Sequence, residues 1–263
     1  MLEARLPSKA ASWKRAVLRT TPIAFWINDG GTTLPNLSLI GSADLAWNSS
    51  PGGAENITSA GVVQGPLAYL GEQWGSAGTY YASPSVSPRY ATCSATAMLT
   101  ALDTFLTTAY TFATWVRYTF AATGYDNPFM SQWSTADNPN SRFYFGADSA
   151  VSGKITATVR TTVTTSVGHS GGYNDGLWHW VLVTRRLGDD TVRLYVDAVE
   201  VGSTSPQTLP LHTSAKNIRI CQFADAPAGR QYIGDIAHPV IWADGLSDEL
   251  ITTLYQQARG TFA

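Results

Sequence analysis

Residues 175–197 carry the clearest structural signal of the sequence and read DGLWHWVLVTRRLGDDTVRLYVD. The first part, residues 177–185, is mostly apolar and rich in valine and tryptophan, as expected of a buried strand. In the second part, Val192, Leu194 and Val196 alternate with other residue types, which is the period of a strand. The two adjacent aspartates between the parts favour a solvated turn. The stretch therefore predicts an antiparallel β-hairpin.

Other segments of the chain have the same short-strand pattern. In residues 110–120, Phe112, Thr114 and Val116 fall on one predicted face and the residues between them on the other. Residues 154–167 are rich in Thr, Val and Ile, which favour a pleated, half-buried surface. Shorter strands are predicted at residues 23–27, 129–133, 142–146, 218–223 and 231–242. Many short strands separated by turn residues predict an antiparallel sandwich or barrel. The residues expected in its core are Trp115, Trp178, Val181, Leu194 and Val196.

The body of the chain contains one predicted helix, at residues 247–258. Ser247 is a good N-cap, and the two acidic residues after it lie favourably in the first turn. One apolar stripe of the helix consists of Leu250, Ile251, Leu254 and Tyr255. No internal repeat and no break in composition marks a second globular domain. We therefore expect one sandwich domain at residues 21–263.

Composition and charge exclude several classes of protein. Of the 263 residues, 44% are hydrophobic and 14% are charged, which suits a large core and excludes a disordered chain or a coiled coil. The net charge of −2 argues against nucleic acid as a partner. No apolar run reaches the roughly 18–20 residues of a membrane span, and the N-terminus lacks the apolar core of a signal peptide. We expect Cys93 and Cys221 to be reduced and buried.

Residues 1–20 form a basic arm in front of the predicted sandwich. Five basic residues and one acidic residue give the arm a charge of +4, which leaves −6 for the rest of the chain. A short helix is predicted at residues 13–19, with Trp13, Ala16 and Val17 on one face. We expect the arm to bind a partner protein or neighbouring copies, through Arg5, Lys9, Trp13, Lys14, Arg15 and Val17. The alternative is an arm that packs back on its own sandwich through Trp13.

The hairpin at residues 175–197 resembles the hallmark hairpin of laminin-G-like domains, which are jelly rolls of the concanavalin A-like lectin-glucanase type. Residues 111–116, TFATWV, resemble a strand of that family, and residues 234–255 resemble its closing strand and short helix. The ordered matches cover roughly residues 75–258. The resemblance implies an all-β fold: a two-sheet antiparallel jelly-roll sandwich with an N-terminal arm and a short C-terminal helix.

The turn at Asp197, which corresponds to a hairpin tip in the family, departs from the family pattern at one position. The family usually has Asp-Gly there, because a tight type I′ turn needs positive φ, whereas Ala198 follows Asp197 in this chain. Either Ala198 accepts a strain of roughly 1 kcal/mol or the loop is wider. His179 matches a histidine of the family hairpin, which implies a buried, hydrogen-bonded structural role.

A second and narrower resemblance concerns residues 13–18 and 22–26, which read WKRAVL and PIAFW. They are similar to the leading segment of such domains in phage virion proteins. This implies a non-enzymatic virion structural protein, made inside the host cell, that forms oligomers or binds other virion proteins as a head decoration or tail component. The alternative is a carbohydrate-binding or adhesion module, which is compatible with a virion role. A glycan-active enzyme is the third interpretation.

The residue pattern for glycan hydrolysis is absent from the sequence. Glycosidases of this fold use Glu-x-Asp-x-x-Glu on one strand, which places the carboxylates on one face. The five glutamates are widely dispersed, and the four histidines lack the spacing of a HExxH metal motif. Asp189 and Asp190 are adjacent, so on a strand they would face opposite sides, and we expect them in a turn. We therefore predict that the protein is not an enzyme.

Aromatic residues near predicted loops are the candidates for a glycan site, since sugars stack on aromatic faces. These candidates are Trp47, Trp74, Tyr125, Trp133 and Tyr173. Calcium, which the family often holds, needs oxygen ligands from loops. The candidate calcium ligands bracket a strand and are Asp126, Asn127, Asp137 and Asn138. The alternative for the aromatic residues is packing and subunit contact, and turn formation explains the calcium candidates equally well. No other cofactor is expected.

Overall fold

The computed structural model describes most of the sandwich and part of the N-terminal region. The described residues are 15–25, 33–34, 45–49, 79–80, 89–93, 99–100, 102–103, 109–120, 126–133, 142–148, 150–161, 163–204, 217–223, 232 and 234–259. For residues 33–34, 45–49, 79–80, 89–93, 237 and 259, the description covers the backbone. No helix within this part of the chain is long and apolar enough to cross a membrane.

Short strands dominate the described part of the chain. They are β1 (Ala24–Phe25), β2 (Thr33–Leu34), β3 (Leu45–Ser49), β4 (Thr79–Tyr80), β5 (Arg89–Cys93), β6 (Tyr110–Arg117), β7 (Asn127–Gln132), β8 (Phe143–Ala147), β9 (Lys154–Arg160), β10 (Thr164–Ser170), β11 (His179–Arg185), β12 (Val192–Val196), β13 (Val199–Ser203), β14 (Ile218–Ile220) and β15 (Gly234–Trp242). A C-terminal helix follows at Asp248–Arg259. The predicted helix and hairpin are thus confirmed.

The strands form two antiparallel sheets. The first sheet has the order β1-β15-β6-β11-β12-β13, with β4 also paired to β15. The second sheet has the order β10-β9-β8-β7-β14-β5-β3-β2. The hairpin that dominates the sequence is the β11–β12 pair, in which Val181 lies opposite Val196. This arrangement confirms the predicted two-sheet jelly-roll sandwich.

The main core lies between the two sheets. Phe112 of β6 stacks on Phe143 of β8, with ring centroids 4.0 Å apart, so the sheets meet directly through aromatic side chains. Val116 and Val181 are fully buried in the same cluster, and Leu194 and Val196 of β12 lie beside them. Their side chains are inward because every second residue of a strand faces the same side.

The other face of the first sheet is covered by the C-terminal helix. Trp115 and Trp180, which are neighbours on β6 and β11, both stack on Tyr255 of the helix. The helix begins with a cap, since the N–H of Leu250 donates to Ser247 Oγ over 3.3 Å. The central strands β6 and β11 of the first sheet are therefore buried on both faces. This explains why residues 177–185 are apolar at consecutive positions.

Trp178 was expected in the core and is only half-buried. It has the same strand phase as Trp180 and packs at the margin of the cluster under the helix. The guanidinium of Arg117 lies over its ring, 5.1 Å from the centroid. Trp178 is thus a partly exposed rim residue, because the strand phase that fits Val181 into the main core turns Trp178 to the opposite face.

The segment at residues 15–25 packs against the same face of the first sheet. Val17 is completely buried in the cluster under the helix, and β1 pairs with β15. The indole N–H of Trp242 donates to the Thr20 hydroxyl over 2.7 Å. Val17 is therefore not available to a partner protein, in contrast to its assignment to an attachment surface. Arg15 is exposed, and Arg5, Lys9, Trp13 and Lys14 lie outside the described residues.

The hairpin tip between β12 and β13 is a tight two-residue turn. Val196 pairs with Val199, and the two residues between them, Asp197 and Ala198, have φ of 53° and 66°. Positive φ at both central residues is the signature of a type I′ turn. Of the two alternatives left open by the sequence, the structure contains the tight turn with Ala198 in the left-handed region.

Candidate functional site

The outer face of the second sheet carries a row of polar side chains that crosses five strands. The strand registers place Ser166 beside Thr158, Thr158 beside Tyr144, and Tyr144 beside Ser131. Arg219 of β14 continues the row next to Ser131. Directly opposed residues of neighbouring strands share a face, so these side chains lie on one face of the sheet opposite the main core, with Ser131 and Thr158 buried on it.

Tyr144 lies at the centre of an aromatic group on this face. The ring of Trp133 meets it edge-on with a centroid distance of 5.3 Å, and the ring of Phe223 does the same at 5.0 Å. Phe223 is buried, whereas Trp133 and Tyr144 are half-buried and keep part of their rings accessible. We refer to Trp133, Tyr144, Phe223, Asp126 and Thr158 as the Tyr144 platform.

Polar groups surround the hydroxyl of Tyr144. It donates to Oδ2 of Asp126 over 2.9 Å, and Thr158 and Ser166 form a hydroxyl pair at 2.9 Å. Burial raises the pKa of Tyr144 well above its usual range, and the negative charge of Asp126 adds to this, while a hydrogen bond with Thr158 acts in the opposite direction. The phenol therefore stays protonated and presents a fixed O–H next to a carboxylate.

Backbone and side-chain hydrogen bonds hold the β14 end of the platform in place. Arg219 donates through Nη1 to Gln222 Oε1 over 3.2 Å and to the carbonyl oxygen of Phe223 over 2.9 Å. The hydroxyl of Ser131 donates to the carbonyl oxygen of Gln222 over 2.6 Å. These contacts fix the backbone that carries the Phe223 ring and therefore position that ring against Tyr144.

The Tyr144 platform has the chemistry of a reversible binding surface. Aromatic rings offer flat apolar area for the C–H faces of a sugar, and the half-buried Tyr144 hydroxyl and Asp126 carboxylate offer hydrogen-bonding oxygens for its hydroxyl groups. A few polar groups beside an aromatic surface are the usual composition of a site for a small polar ligand. The platform needs no change of covalent bonds to perform this role.

The predicted glycan residues are divided between different parts of the fold. Trp133 belongs to the Tyr144 platform, whereas the Tyr173 hydroxyl lies 2.9 Å from His169 Nδ1 and its ring lies against His179. The backbone of Trp47 lies in β3, opposite Ala91 of β5. Trp74 and Tyr125 lie outside the described residues.

Tyr144 itself was not identified from the sequence. The signal that could have found it is the alternation in β8, where Phe143 and Phe145 face the core and Tyr144 faces outward. An outward aromatic on a central strand has no packing role in the main core, which makes it a candidate for binding.

The predicted calcium ligands do not form a cluster in the described part of the chain. Asp126 accepts the Tyr144 hydroxyl on the outer face, while Asn127 is buried and pairs with Ala147, a core residue. The two adjacent residues therefore serve opposite faces of the sheet. Among the described residues, no group of three or more His, Cys, Asp or Glu could hold a metal ion. Asp137 and Asn138 lie outside those residues, and calcium binding stays a prediction.

A second cluster of ionisable groups lies around His179, at the end of the first sheet. Its Nδ1 lies 2.7 Å from Asp197 Oδ2, and its Nε2 lies 3.2 Å from Asp175 Oδ1. Burial lowers the pKa of His179, but the hydrogen bonds and charges of the two aspartates outweigh burial and raise it. Both carboxylates are thus occupied by one imidazole, in agreement with the structural role that the family resemblance implies for His179.

Four described aspartates have a pKa below its usual range. Burial would raise the pKa of Asp148, but a hydrogen bond from Lys154 outweighs it. Burial would also raise the pKa of Asp175, but hydrogen bonds from the Leu177 N–H and from His179 outweigh it. For the other two, Asp189 and Asp248, hydrogen bonds from Arg193 and Arg186 are the main cause. A general acid for glycoside cleavage needs the opposite shift, so none of the four suits that role.

Three solved structures illustrate the similarity of the fold to known proteins. The binding domain of botulinum neurotoxin DC in complex with rat synaptotagmin II has a TM-score of 0.59 at 12% identity, over 92% of this chain and 52% of that one. The same toxin's binding domain in complex with SialylT has a TM-score of 0.55 at 12% identity, over 90% and 52%. Botulinum neurotoxin type C, described as depending on two ganglioside molecules for entering cells, has a TM-score of 0.58 at 14% identity, over 93% and 53%.

These structures show a shared fold, since the identities are far too low to carry a function across. The chain spans about half the length of each of them. A sequence search of curated proteins found no match. The family model described as Concanavalin A-like lectin/glucanases superfamily, however, matches residues 92–252, which is more than half of the chain. The protein therefore belongs to the laminin G family of the Concanavalin A-like lectin/glucanases superfamily.

Proposed function

We propose that the protein is a non-enzymatic glycan-binding module and that the Tyr144 platform is its binding surface. The observation that carries this proposal is the contact of Tyr144 with both Trp133 and Asp126, which puts an accessible aromatic edge, a phenol and a carboxylate on one face. In the described part of the fold, the centre of the first sheet offers no comparable surface, because the C-terminal helix covers it there.

The state of the acidic residues supports a binding role without catalysis. A retaining glycosidase needs one ionised and one protonated carboxyl group about 5 Å apart, with the pKa of the acid raised. The described aspartates with a shifted pKa have it lowered, and Asp148 and Asp248 form ion pairs with Lys154 and Arg186. Carboxylates held in this way stay ionised at neutral pH and accept hydrogen bonds.

The comparisons support the same class of function at a general level. Two of the similar toxin structures are described with a sialyl ligand or with gangliosides, which are glycan ligands of those toxins. A jelly-roll sandwich of this type is therefore compatible with glycan binding. The choice of surface and of residues in this chain rests on the Tyr144 platform alone.

The proposal is tested by screening the full chain on a glycan array and then titrating the best glycan by calorimetry. Trp133→Ala removes the accessible ring, and we expect it to weaken binding at least about tenfold, which corresponds to roughly 1.4 kcal/mol. Tyr144→Phe keeps the ring and removes the O–H beside Asp126, so we expect a loss of several-fold.

Tyr173→Phe is the matched control, because it also removes one tyrosine hydroxyl but lies at His169 and His179, away from the platform contacts. We expect this variant to bind as the unaltered protein does. Loss of binding in Tyr173→Phe but not in Trp133→Ala would transfer the site to the His179 end. A protein that binds no glycan on the array would overturn the proposal. Repeating the titration with a calcium chelator tests the predicted calcium requirement.

A virion role stays a prediction from residues 13–18 and 22–26, with other virion proteins or copies of the chain as partners. It is compatible with glycan binding, because a head decoration or tail protein can display a binding face outward. Co-sedimentation of the purified chain with phage particles tests it, and a chain that stays in the supernatant with every particle tried would contradict it.

A further inference from the structure

Among the residues that the structure describes, no strand pairs with the outer edge of β10, and this edge carries the inference. β10 ends the second sheet and pairs with β9 along all seven residues, without a register shift. Its sequence, TTSVGHS, contains no Lys, Arg, Asp, Glu or Pro, and of its residues only Val167 is buried. Such an edge presents backbone N–H and C=O groups in a regular row, ready to pair with another strand.

The other described edges lack this combination of features. β13, the edge of the first sheet, contains Glu200, which is paired with Arg193 at 3.3 Å, and the β12–β13 register shifts at Leu194/Tyr195. β1 and β2, which end the two sheets on the other side, have two residues each. Charges, bulges and short length are the usual protections against edge pairing, and β10 has none of them.

We propose that β10 pairs in antiparallel orientation with β10 of a second copy. The two-fold axis lies between Val167 and Val167 of the second copy, which are directly opposed. The two eight-stranded sheets then become one continuous sheet in a symmetric dimer. In this register Thr164 faces Ser170 of the second copy, and Thr165 faces its His169. No two charged residues are opposed, so self-pairing incurs no charge repulsion.

The nature of the strand favours a second copy over a foreign peptide. The side chains of β10 include no Lys, Arg, Asp or Glu, and they offer no charge pattern and no row of apolar pockets by which to select another sequence. Its own copy supplies a strand of equal length that also lacks Lys, Arg, Asp and Glu, and two-fold symmetry makes every contact twice. Val163, directly before β10, is 62% exposed and adds an apolar side chain to the same flank.

The neighbouring strand β13 leaves room for this pairing. It lies against β10 from the first sheet, where a Cβ at Gly202 would come within 3.0 Å of a Val167 methyl group. Val167 therefore packs inward on Gly202. The N–H and C=O groups on the outer edge of β10 point in the plane of the sheet, away from β9.

Dimerisation has a geometric consequence for the Tyr144 platform. Tyr144 is on β8, two strands from the edge, so its copy in the dimer lies five strand spacings away on the same face. At about 4.8 Å per spacing, the two platforms are about 24 Å apart. Two sites on one face raise the apparent affinity for a clustered ligand. The dimer itself does not depend on whether the platform binds a glycan.

The experiment measures the mass of the full chain in solution by sedimentation equilibrium. We expect a dimer for the unaltered protein and a monomer for Thr164→Lys/Ser170→Lys, because each new lysine then faces another lysine across the axis. In Thr164→Lys/Ser170→Glu, each lysine faces a glutamate instead, and we expect the dimer to be restored. Circular dichroism confirms that each variant is folded.

Thr252→Lys/Thr253→Lys is the matched control, since both threonines are exposed on the C-terminal helix. It adds the same two charges and should stay dimeric. A monomeric unaltered protein, or a dimer that survives Thr164→Lys/Ser170→Lys, overturns the proposal.

Should the double-lysine variant fail to fold, hydrogen exchange of the unaltered protein decides. The amides of β10 must become more protected as protein concentration rises, and unchanged exchange overturns the proposal.

Discussion

His179 and Asp197 form the contact that fixes the hairpin tip. His179 Nδ1 lies 2.7 Å from Asp197 Oδ2, and Oδ1 of the same carboxylate accepts the backbone N–H of Trp180 over 2.9 Å. On the other side of the ring, Asp175 Oδ1 lies 3.2 Å from Nε2. A neutral imidazole can donate only one of these two bonds, so both aspartates are satisfied as acceptors only when His179 is protonated.

The stability of the fold should therefore depend on pH through His179. Its pKa in the folded state is raised above the ordinary 6.5 of an unfolded chain by Asp197 and Asp175, which outweigh burial. The stabilising contribution is complete below pH 6.5 and is lost as pH rises through the folded pKa. Thermal unfolding should show the advantage of the unaltered protein over His179→Asn shrinking from about pH 6.5 upward.

A control variant isolates the source of that pH dependence. Asp197→Asn removes the nearer carboxylate charge. We then compare the chain with His179 and the His179→Asn variant when both also carry Asp197→Asn. Their difference in stability should depend less on pH than it does without Asp197→Asn. An advantage that is equally large at acidic and alkaline pH would contradict the assignment to His179.

Replacing Ala198 by glycine should stabilise the protein. Ala198 has a φ of 66°, where a Cβ costs roughly 1 kcal/mol and glycine costs nothing. Part of that gain is offset by the greater freedom of glycine in the unfolded chain, so we expect about 0.5 kcal/mol in denaturant unfolding. Ala150→Gly, at an exposed bend, is the control and should be neutral or destabilising. A loss of stability in Ala198→Gly would show that the methyl packing matters more than the backbone.

Trp180 and Trp178 should differ clearly in their contribution to stability. Trp180 is 1% exposed and stacks on Tyr255, so Trp180→Ala should cost about 3–5 kcal/mol. Trp178 is half-buried and contacts Arg117 from the rim, and we expect Trp178→Ala to cost about 1–2 kcal/mol. Urea unfolding of both variants measures the difference. Equal costs would mean that the C-terminal helix does not cover the sheet as described.

The segment at residues 15–20 should contribute to the stability of the sandwich. Val17→Ala removes buried methyl groups and should cost about 1–2 kcal/mol. Thr20→Val leaves the Trp242 indole N–H without its acceptor, at an expected cost of about 1–3 kcal/mol. Arg19 is exposed in the same segment, and Arg19→Ala should change stability by less than about 0.5 kcal/mol. If all three variants unfold alike, the segment is not a stabilising strap.

The protein should release no reducing sugar from polysaccharides. Incubation with laminarin, agarose, carrageenan or peptidoglycan tests this, with a characterised glycanase as the positive control. The expectation follows from ion-paired carboxylates such as Asp148 and Asp248, which lack the raised pKa of a general acid. Reproducible release that a single Asp→Asn variant abolishes would contradict it.

The alternation of residues in individual strands was sufficient to predict much of the fold. Phe112 and Val116 were assigned to one face of β6 and lie in the main core, and Ser247 was assigned as the helix cap. Sequence could not decide which apolar face of residues 177–185 is the core side, because both faces are buried, one of them under a helix distant in sequence. For that reason Trp178 was expected in the core and lies at the rim.

The Tyr144 platform was only partly predictable, since its residues come from four strands and their flanking segments. Asp126 and Trp133 flank β7, and they meet at Tyr144 because of the β7–β8 register. Phe223 reaches the same ring through β14, which pairs with β7 across a long stretch of sequence. Composition showed that aromatic and acidic residues were present, but register between distant strands decides which of them are neighbours.

The helix that covers the first sheet gives the protein a built-in optical probe. Trp115, Trp180 and Trp242 are all buried in the cluster beneath it. Indole emission moves to longer wavelength when the ring meets water. Lifting of the helix alone should therefore shift the wavelength of the protein's own fluorescence while the circular dichroism of the sheets persists. Global unfolding changes both signals, so the two events can be distinguished without any attached dye.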